Sequence, residues 1–362
     1  MGPNHDATSF SPSASANPQA ATGGPQLGRV MTHPEDRVRE FRRLFTSIEE
    51  EVGRVIVGHR AVVRKVLTAF FAGGHVLIEG VPGLGKTLMV KSLSQALGLS
   101  FKRIQFTPDL MPSDIVGTQV LADGAGERHF EFKRGPVFAH VVLADEVNRA
   151  TPKTQSAILE AMEEQQVTVF GETYKLDSPF FVLATQNPIE IEGTYPLPEA
   201  QLDRFFFKLI VRPPNSLELA EILARTTAET RYQIKPVLRT SPAQAMVEEM
   251  KTLVRQVLLA PPLSNYVATL IAAATPGSGQ APVAEVNQYL RYGPGPRGAQ
   301  AITLGAKVNA LLDGRVNVSF DDIADVTLPA LRHRCLLNFQ AEAENVTADQ
   351  IVELLLKKVA KR

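Results

Sequence analysis

The stretch Gly80-Val81-Pro82-Gly83-Leu84-Gly85-Lys86-Thr87 follows directly on the short apolar run HVLIE. Its spacing is G-x-x-x-x-G-K-[ST], that of a phosphate-cradling loop. Glycine has no Cβ, so the backbone N–H groups can close around phosphate oxygens. Lys86 would reach the β and γ phosphates of a nucleotide, and the Thr87 hydroxyl would ligate Mg²⁺. The helix read over 86–98 would add the positive end of its dipole. Gly80, Val81, Pro82, Gly83, Leu84, Gly85, Lys86, Thr87 and Leu88 form the expected nucleotide-contacting set. The bland alternative is an ordinary glycine-rich strand-to-helix turn.

A second constellation lies downstream. The run HVVLADE (140–146) ends on two acids, Asp145 and Glu146. An acid at a strand tip can hold Mg²⁺ through its water shell, and a second can polarise the attacking water. Asp145 is therefore assigned to the metal and Glu146 to the general base. The alternative is an acidic cap on the next segment. In ATQNPIEIEGTYPLPEAQLDRF (184–205) the strand-like FFVLA ends at Thr185-Gln186-Asn187, and a short amphipathic segment ends on Arg204.

These residues need a scaffold, and the pattern of elements supplies one. Short apolar runs at 75–80, 101–107, 140–146, 179–185 and 205–214 alternate with helical patterns at 86–98 and 152–164. That alternation predicts an α/β fold built on a parallel sheet covered on both faces. Two hairpins interrupt it. One spans 120–135 with a Gly-rich turn, and the other spans 165–176 with a tight turn at Gly171-Glu172. After Pro214 the strands are expected to cease and helices to dominate, so a domain boundary is placed near 213–216.

The chain has 362 residues, enough for two domains. Lys plus Arg is 38 and Asp plus Glu is 38, so no net charge draws the chain to nucleic acid or an anionic membrane. The single cysteine, Cys335, allows no intramolecular disulfide, which fits a reducing compartment. No apolar run is long enough to span a bilayer and no signal core opens the chain. A soluble cytoplasmic protein is expected. Residues 1–32 are rich in Pro, Ser, Ala and Gly and are expected to be a disordered tail.

FTPDLMPSDIVG, LADEVNRATPKTQSAILEAMEE and LATQNPIEIEGTYPLPEAQLDRF together resemble the MoxR family of AAA+ ATPases over roughly residues 35–345. The resemblance implies a five-stranded P-loop αβα core (33–214) and a smaller all-α lid (215–362). It implies ATP bound with Mg²⁺ between core and lid, and between subunits of a homo-oligomeric ring, commonly a hexamer. The hairpins become an insert in the second core helix and one that precedes the strand carrying Asn187. Asn187 matches the sensor-1 position, with a turn cap before Pro188 as the alternative. Arg204 matches the arginine finger, completing a neighbour's site, with a salt bridge to Asp203 or Glu199 as the alternative. Arg297 opens a helix within 293–314 and matches sensor 2, which touches the γ-phosphate in cis; a solvated arginine is the alternative. Gly295 stands where the family has Ser, and glycine is a tolerated N-cap. Val57 and Gly58, in IVGHRAVVRKV, match the adenine-packing segment. Arg149 is placed at the subunit interface. LRHRC (331–335) reads as a solvated helix face rather than an anion site.

The family is chaperone-like and acts on proteins with von Willebrand factor A domains, in maturation or metal-cofactor insertion. That partner class rests on the resemblance alone. Two alternatives share the mechanism: a magnesium-chelatase-like motor subunit and a nucleic-acid motor. A nucleic-acid motor would carry a basic, aromatic surface, and this chain is neutral and lacks Trp.

Overall fold

The computed structural model describes residues 34–123, 128–189, 193–229, 232–238, 243–279 and 283–361. The expected tail at 1–32 and the Gly-rich turn of the first hairpin lie outside them.

The chain opens with helices α1 (Pro34–Gly53) and α2 (Arg60–Ala72). Next come β1 (Val76–Glu79), α3 (Lys86–Leu97), β2 (Phe101–Gln105) and the short α4 (Pro112–Val116). A hairpin of β3 (Gly117–Asp123) and β4 (Arg128–Arg134) leads to β5 (Val141–Asp145) and a 3₁₀ turn over Val147–Arg149. Then α5 (Pro152–Glu164), β6 (Gln166–Val169), β7 (Glu172–Lys175), β8 (Phe181–Gln186), α6 (Glu199–Leu202) and β9 (Phe207–Ile210) complete the sheet-bearing part. Beyond it lie α7 (Ser216–Thr226), α8 (Ala243–Gln256), α9 (Pro261–Ala273), α10 (Ala284–Tyr289) and β10 (Leu290–Tyr292). The chain ends with α11 (Pro296–Leu312), α12 (Phe320–Leu331), β11 (Leu336–Leu337), α13 (Phe339–Ala343) and α14 (Ala348–Lys358).

The five expected strands form one sheet in the order β2-β5-β8-β1-β9, and every pairing is parallel. β5 is buried along its whole length and β8 along all but its last residue, as strands covered on both faces must be. One core gathers α1, α2, α3 and the later helices on one face, with residues such as Phe45, Phe71, Leu93, Ile302 and Leu331. A second core on the other face packs α4 and α5 through Ile115, Ile158, Leu159 and Phe205. The molecule is thus a five-stranded α/β P-loop fold with a helical lid.

Two details differ from what the sequence leads one to expect. Strands do not cease after Pro214: β10 and β11 pair antiparallel in the lid. Two or three residues are too few to carry a period-two pattern. The second hairpin turns at Phe170-Gly171, not Gly171-Glu172, because Val169 pairs with Glu172. Both turn residues have positive φ, 51° and 84°, the backbone a two-residue hairpin loop needs. That Phe rather than Asn stands first in the turn is what hid the register. The two hairpins also touch: Phe132 stacks on Tyr174 with ring centroids 4.1 Å apart. Among the described residues no helix is long and apolar enough to cross a membrane.

Buried histidines make stability depend on acid. His75 accepts from the Val182 N–H at 3.0 Å through Nδ1, and its Nε2 donates to the Met162 carbonyl at 3.1 Å. Both nitrogens are used by the neutral ring, and burial pushes the pKa down to about 4. Above the unfolded value of 6.5 neither state binds the proton, so stability is full. As pH falls from there toward 4, only the unfolded chain takes up the proton and stability drops. His75 alone should cost about 3 kcal/mol by pH 4. Denaturant midpoints at pH 7 and pH 4.5 are expected to converge in His75→Gln relative to wild type. An equal acid slope in both would remove His75 from the account.

Candidate functional site

The phosphate loop joins β1 to α3, as its spacing requires. Gly83 and Gly85 have φ of 84° and 75°, which L side chains rarely adopt. Cβ atoms built there meet nothing within 4 Å, so the loop surrounds open space. Gly80 lies against the Val211 carbonyl and is buried, while Pro82, Gly83, Gly85 and Leu88 are exposed and Val81, Leu84 and Thr87 partly so. Lys86 is buried, with Nζ donating to the Gly80 carbonyl at 2.6 Å. Burial pushes its pKa down, and the Asp145 and Glu146 carboxylates oppose that. Val57 is buried, and Gly58 sits against the Glu218 carboxylate at the start of α7, where a Cβ would come within 2.7 Å of it. Arg225, at the other end of α7, donates to the carbonyls of Gly53 and Arg54, fixing this helix on the α1–α2 loop.

Parallel pairing carries Asp145, Glu146 and Asn187 to the same end of the sheet as the loop. Asp145 is buried; its Oδ1 accepts from the Thr185 hydroxyl at 2.6 Å, and its Oδ2 lies 3.4 Å from the Thr87 hydroxyl. Glu146 turns the chain out of β5 in a left-handed backbone, φ 56° and ψ 49°. Such a conformation in a non-glycine residue costs on the order of 1–2 kcal/mol and is characteristic of functional sites. Its N–H donates to Thr185 Oγ1 at 2.8 Å, and its Oε2 accepts from Gln105 Nε2 at 2.8 Å and Arg149 Nη1 at 2.9 Å. Asn187 is buried, and its Oδ1 accepts from the Ile189 N–H at 3.2 Å. This is the turn cap of the alternative reading, and it also fixes the rotamer, leaving the amide NH₂ as the donating group. The cap and the phosphate role are therefore compatible.

A threonine hydroxyl and a carboxylate side by side are hard oxygen donors of the kind Mg²⁺ takes. Among the described residues no cluster of three or more His, Cys, Asp or Glu is arranged to hold a metal by itself. Thr87 and Asp145 thus suit an ion whose remaining ligands are phosphate oxygens and water.

Arg204 and Arg297 lie elsewhere. Phe206 donates to the carbonyl of His75, just before β1, so Arg204 sits at the end of the sheet where β1 and β9 begin. The phosphate loop sits where β1 ends. Four residues of strand, roughly 13 Å, separate the two ends. Arg204 donates to the Leu159 carbonyl and pairs with Glu163, both at 2.9 Å. Its salt partner is therefore neither Asp203 nor Glu199. Glu163, in the last turn of α5, is too far along the chain for a local reading to find.

Arg297 departs from its expected position. Its guanidinium pairs with the same Glu163, and with Asp203 at 3.7 Å. It shares a cavity of about 110 Å³ with Met162, Glu163 and Arg204. That space is small for a nucleotide and lies at the opposite end of the sheet from the phosphate loop. Contact with the γ-phosphate in cis does not fit this placement. LRHRC is also corrected: His333 and Arg334 are buried, not solvated. Arg334 donates to Asp203 Oδ1 at 2.7 Å and to the carbonyls of Asp203, Phe205 and Phe206. The lid thereby grips the backbone on either side of Arg204. Arg103, Gln105, Thr185, Glu163 and Arg334 also reach these groups, and no local motif marks them. For Arg103 and Gln105, alternation on a strand beside β5 was the available signal.

A model of the ATPase family associated with various cellular activities (AAA) matches residues 75–207, and an AAA lid domain model matches 284–355. The chain is 42% identical to an uncharacterised protein, YeaC, of Bacillus subtilis over 91% of its length and 97% of the relative's. It is 41% identical to Chaperone MoxR1 of Mycobacterium tuberculosis, covering 86% of this chain and 80% of that one. Protein MoxR of Methylorubrum extorquens is 27% identical over 82% of this chain and 89% of its own. A solved structure from Cytophaga hutchinsonii, described as a candidate ATPase, superposes with a TM-score of 0.83 at 40% identity. It covers 90% of this chain and 97% of its own.

Proposed function

Given that the chain belongs to the MoxR family of AAA+ ATPases, we propose that it binds ATP with Mg²⁺ and hydrolyses it at sites shared between subunits of a ring. The observation that carries this reading is the split of the site. Lys86, Thr87, Asp145, Glu146 and Asn187 occupy one end of the sheet, and Arg204 is held at the other. This separation supports a reading in which Arg204 serves a neighbour's nucleotide rather than its own.

Lys86 exchanges the Gly80 carbonyl for phosphate oxygens, and the loop N–H groups hold the rest of the phosphate chain. Thr87 and Asp145 hold the metal, which neutralises phosphate charge. Glu146 takes the proton of the attacking water while the Asn187 amide orients it. Val57 and Gly58 pack on adenine. Arg204 answers the charge that develops on the neighbour's phosphate, and Arg297, on the same edge, acts with it rather than in cis. We take 33–214 as core and 215–362 as lid. The ring is read as a hexamer of cytoplasmic subunits whose movement matures, or inserts a cofactor into, partner proteins with von Willebrand factor A domains. The kinship with Chaperone MoxR1 supports the chaperone-like part.

Lys86→Ala is expected to abolish binding of a labelled ATP. The assembly is tested by light scattering on Glu146→Gln with ATP and Mg²⁺. A ring-sized species dependent on ATP supports shared sites. A species that stays monomeric while binding ATP would remove them.

A further inference from the structure

The Asp145 carboxylate is already occupied by a cation belonging to the chain. Arg103 donates to Asp145 Oδ2 from Nη2 at 2.7 Å and from Nε at 3.0 Å. This is the oxygen that Thr87 Oγ1 approaches at 3.4 Å, whereas Oδ1 faces Thr185. Arg103 therefore holds the oxygen on the side of the second metal-ligating group. It reaches there from β2, which pairs with β5 in parallel register and forms the edge of the sheet. Two residues on, Gln105 lies on the same face and donates to Glu146. Gln105 Oε1 also accepts from Arg103 Nη2. The Arg103 side chain is 46% exposed, so solvent can receive it when it lets go.

Resting on the nucleotide reading above, we propose that Arg103 is a positioning residue that competes with magnesium for Asp145. With the metal absent it partners the buried carboxylate and holds its Oδ2 on the side of Thr87. Metal and nucleotide enter by displacing it toward solvent. The burial of Asp145 explains why such a stand-in is needed: an isolated ionised carboxylate there would be costly. An alternative role, direct contact with phosphate, would not require the guanidinium to sit on the metal-facing oxygen.

The test is the Mg²⁺ dependence of binding of a fluorescent, non-hydrolysable ATP analogue to the full chain. Arg103→Met is expected to lower the half-saturating Mg²⁺ about five-fold, the scale of one partly exposed charge-assisted pair. Its affinity for the analogue in EDTA should match wild type. Should Arg103→Met not fold, Arg103→Lys keeps the charge without the two-nitrogen grip and should shift the same way, about two-fold. An unchanged or raised Mg²⁺ requirement overturns the proposal. So does an equal weakening with and without Mg²⁺, which would put Arg103 on the phosphates. Failure of wild type to bind the analogue under either condition would instead sink the nucleotide reading itself.

Discussion

Glu146→Gln is expected to bind ATP with near-normal affinity and to lose about 10²–10⁴-fold in hydrolysis, the contribution of a positioned general base. Binding should survive because the substitution leaves the backbone task intact. Gln keeps the same left-handed turn out of β5 and the same N–H to Thr185. Both side-chain donors, Gln105 Nε2 and Arg149 Nη1, converge on a single oxygen, Oε2. An amide oxygen can accept from both, so the side chain should stay where it is. What it loses is the ability to take a proton. The check pairs a phosphate-release assay with an equilibrium binding measurement on one preparation. Hydrolysis within a few-fold of wild type would move the base to another residue. A parallel loss of binding would mean that Glu146 serves the metal instead.

Much of this site could be read from the chain because its parts are local. A phosphate loop must follow a strand and open a helix, and the acids must stand at a strand tip. Both demands leave marks within a few residues: the open glycines before Lys86, and VVLA before Asp145 and Glu146. The sheet order then carries these marks to one end. Contacts made across the fold leave no such mark. Glu163 meets Arg204 and Arg297 only because α5 runs back to the start of the strands, and Arg297 comes from the lid. A first-turn arginine on a helix fits an anion in either subunit equally well, so local pattern could not choose between cis and the far edge. LRHRC looked solvated because charge is normally exposed. Its burial depends on Asp203 and the carbonyls of Phe205 and Phe206, which no pattern within 331–335 reveals.

Arg204→Ala is expected to bind ATP normally and to hydrolyse it at least about 10³-fold more slowly, the lower range for loss of an arginine finger. The loss should be repaired by a neighbour. Arg204→Ala subunits keep a whole phosphate loop, and Lys86→Ala subunits keep the arginine. Each is inactive alone, but where the first presents its nucleotide to the second, every group is present. Mixing them should give phosphate release well above the sum of the two. The geometry makes this more than a kinetic convenience, because Arg204 is held by Glu163 and the Leu159 carbonyl at the far end of the sheet. Arg334 fixes the backbone around it, so a swing back to the subunit's own loop would break the lid's grip. Arg297→Ala, mixed in the same way, reports on the second arginine. Rescue places it with Arg204 on the neighbour's nucleotide. No rescue, with a loss as large as that of Arg204→Ala, would return Arg297 to its own subunit and require the lid to move when ATP binds. If Arg204→Ala itself is not rescued while Lys86→Ala and Glu146→Gln behave as expected, then each subunit completes its own site. The pairing of Arg297 with Glu163 would then be a structural clasp between core and lid.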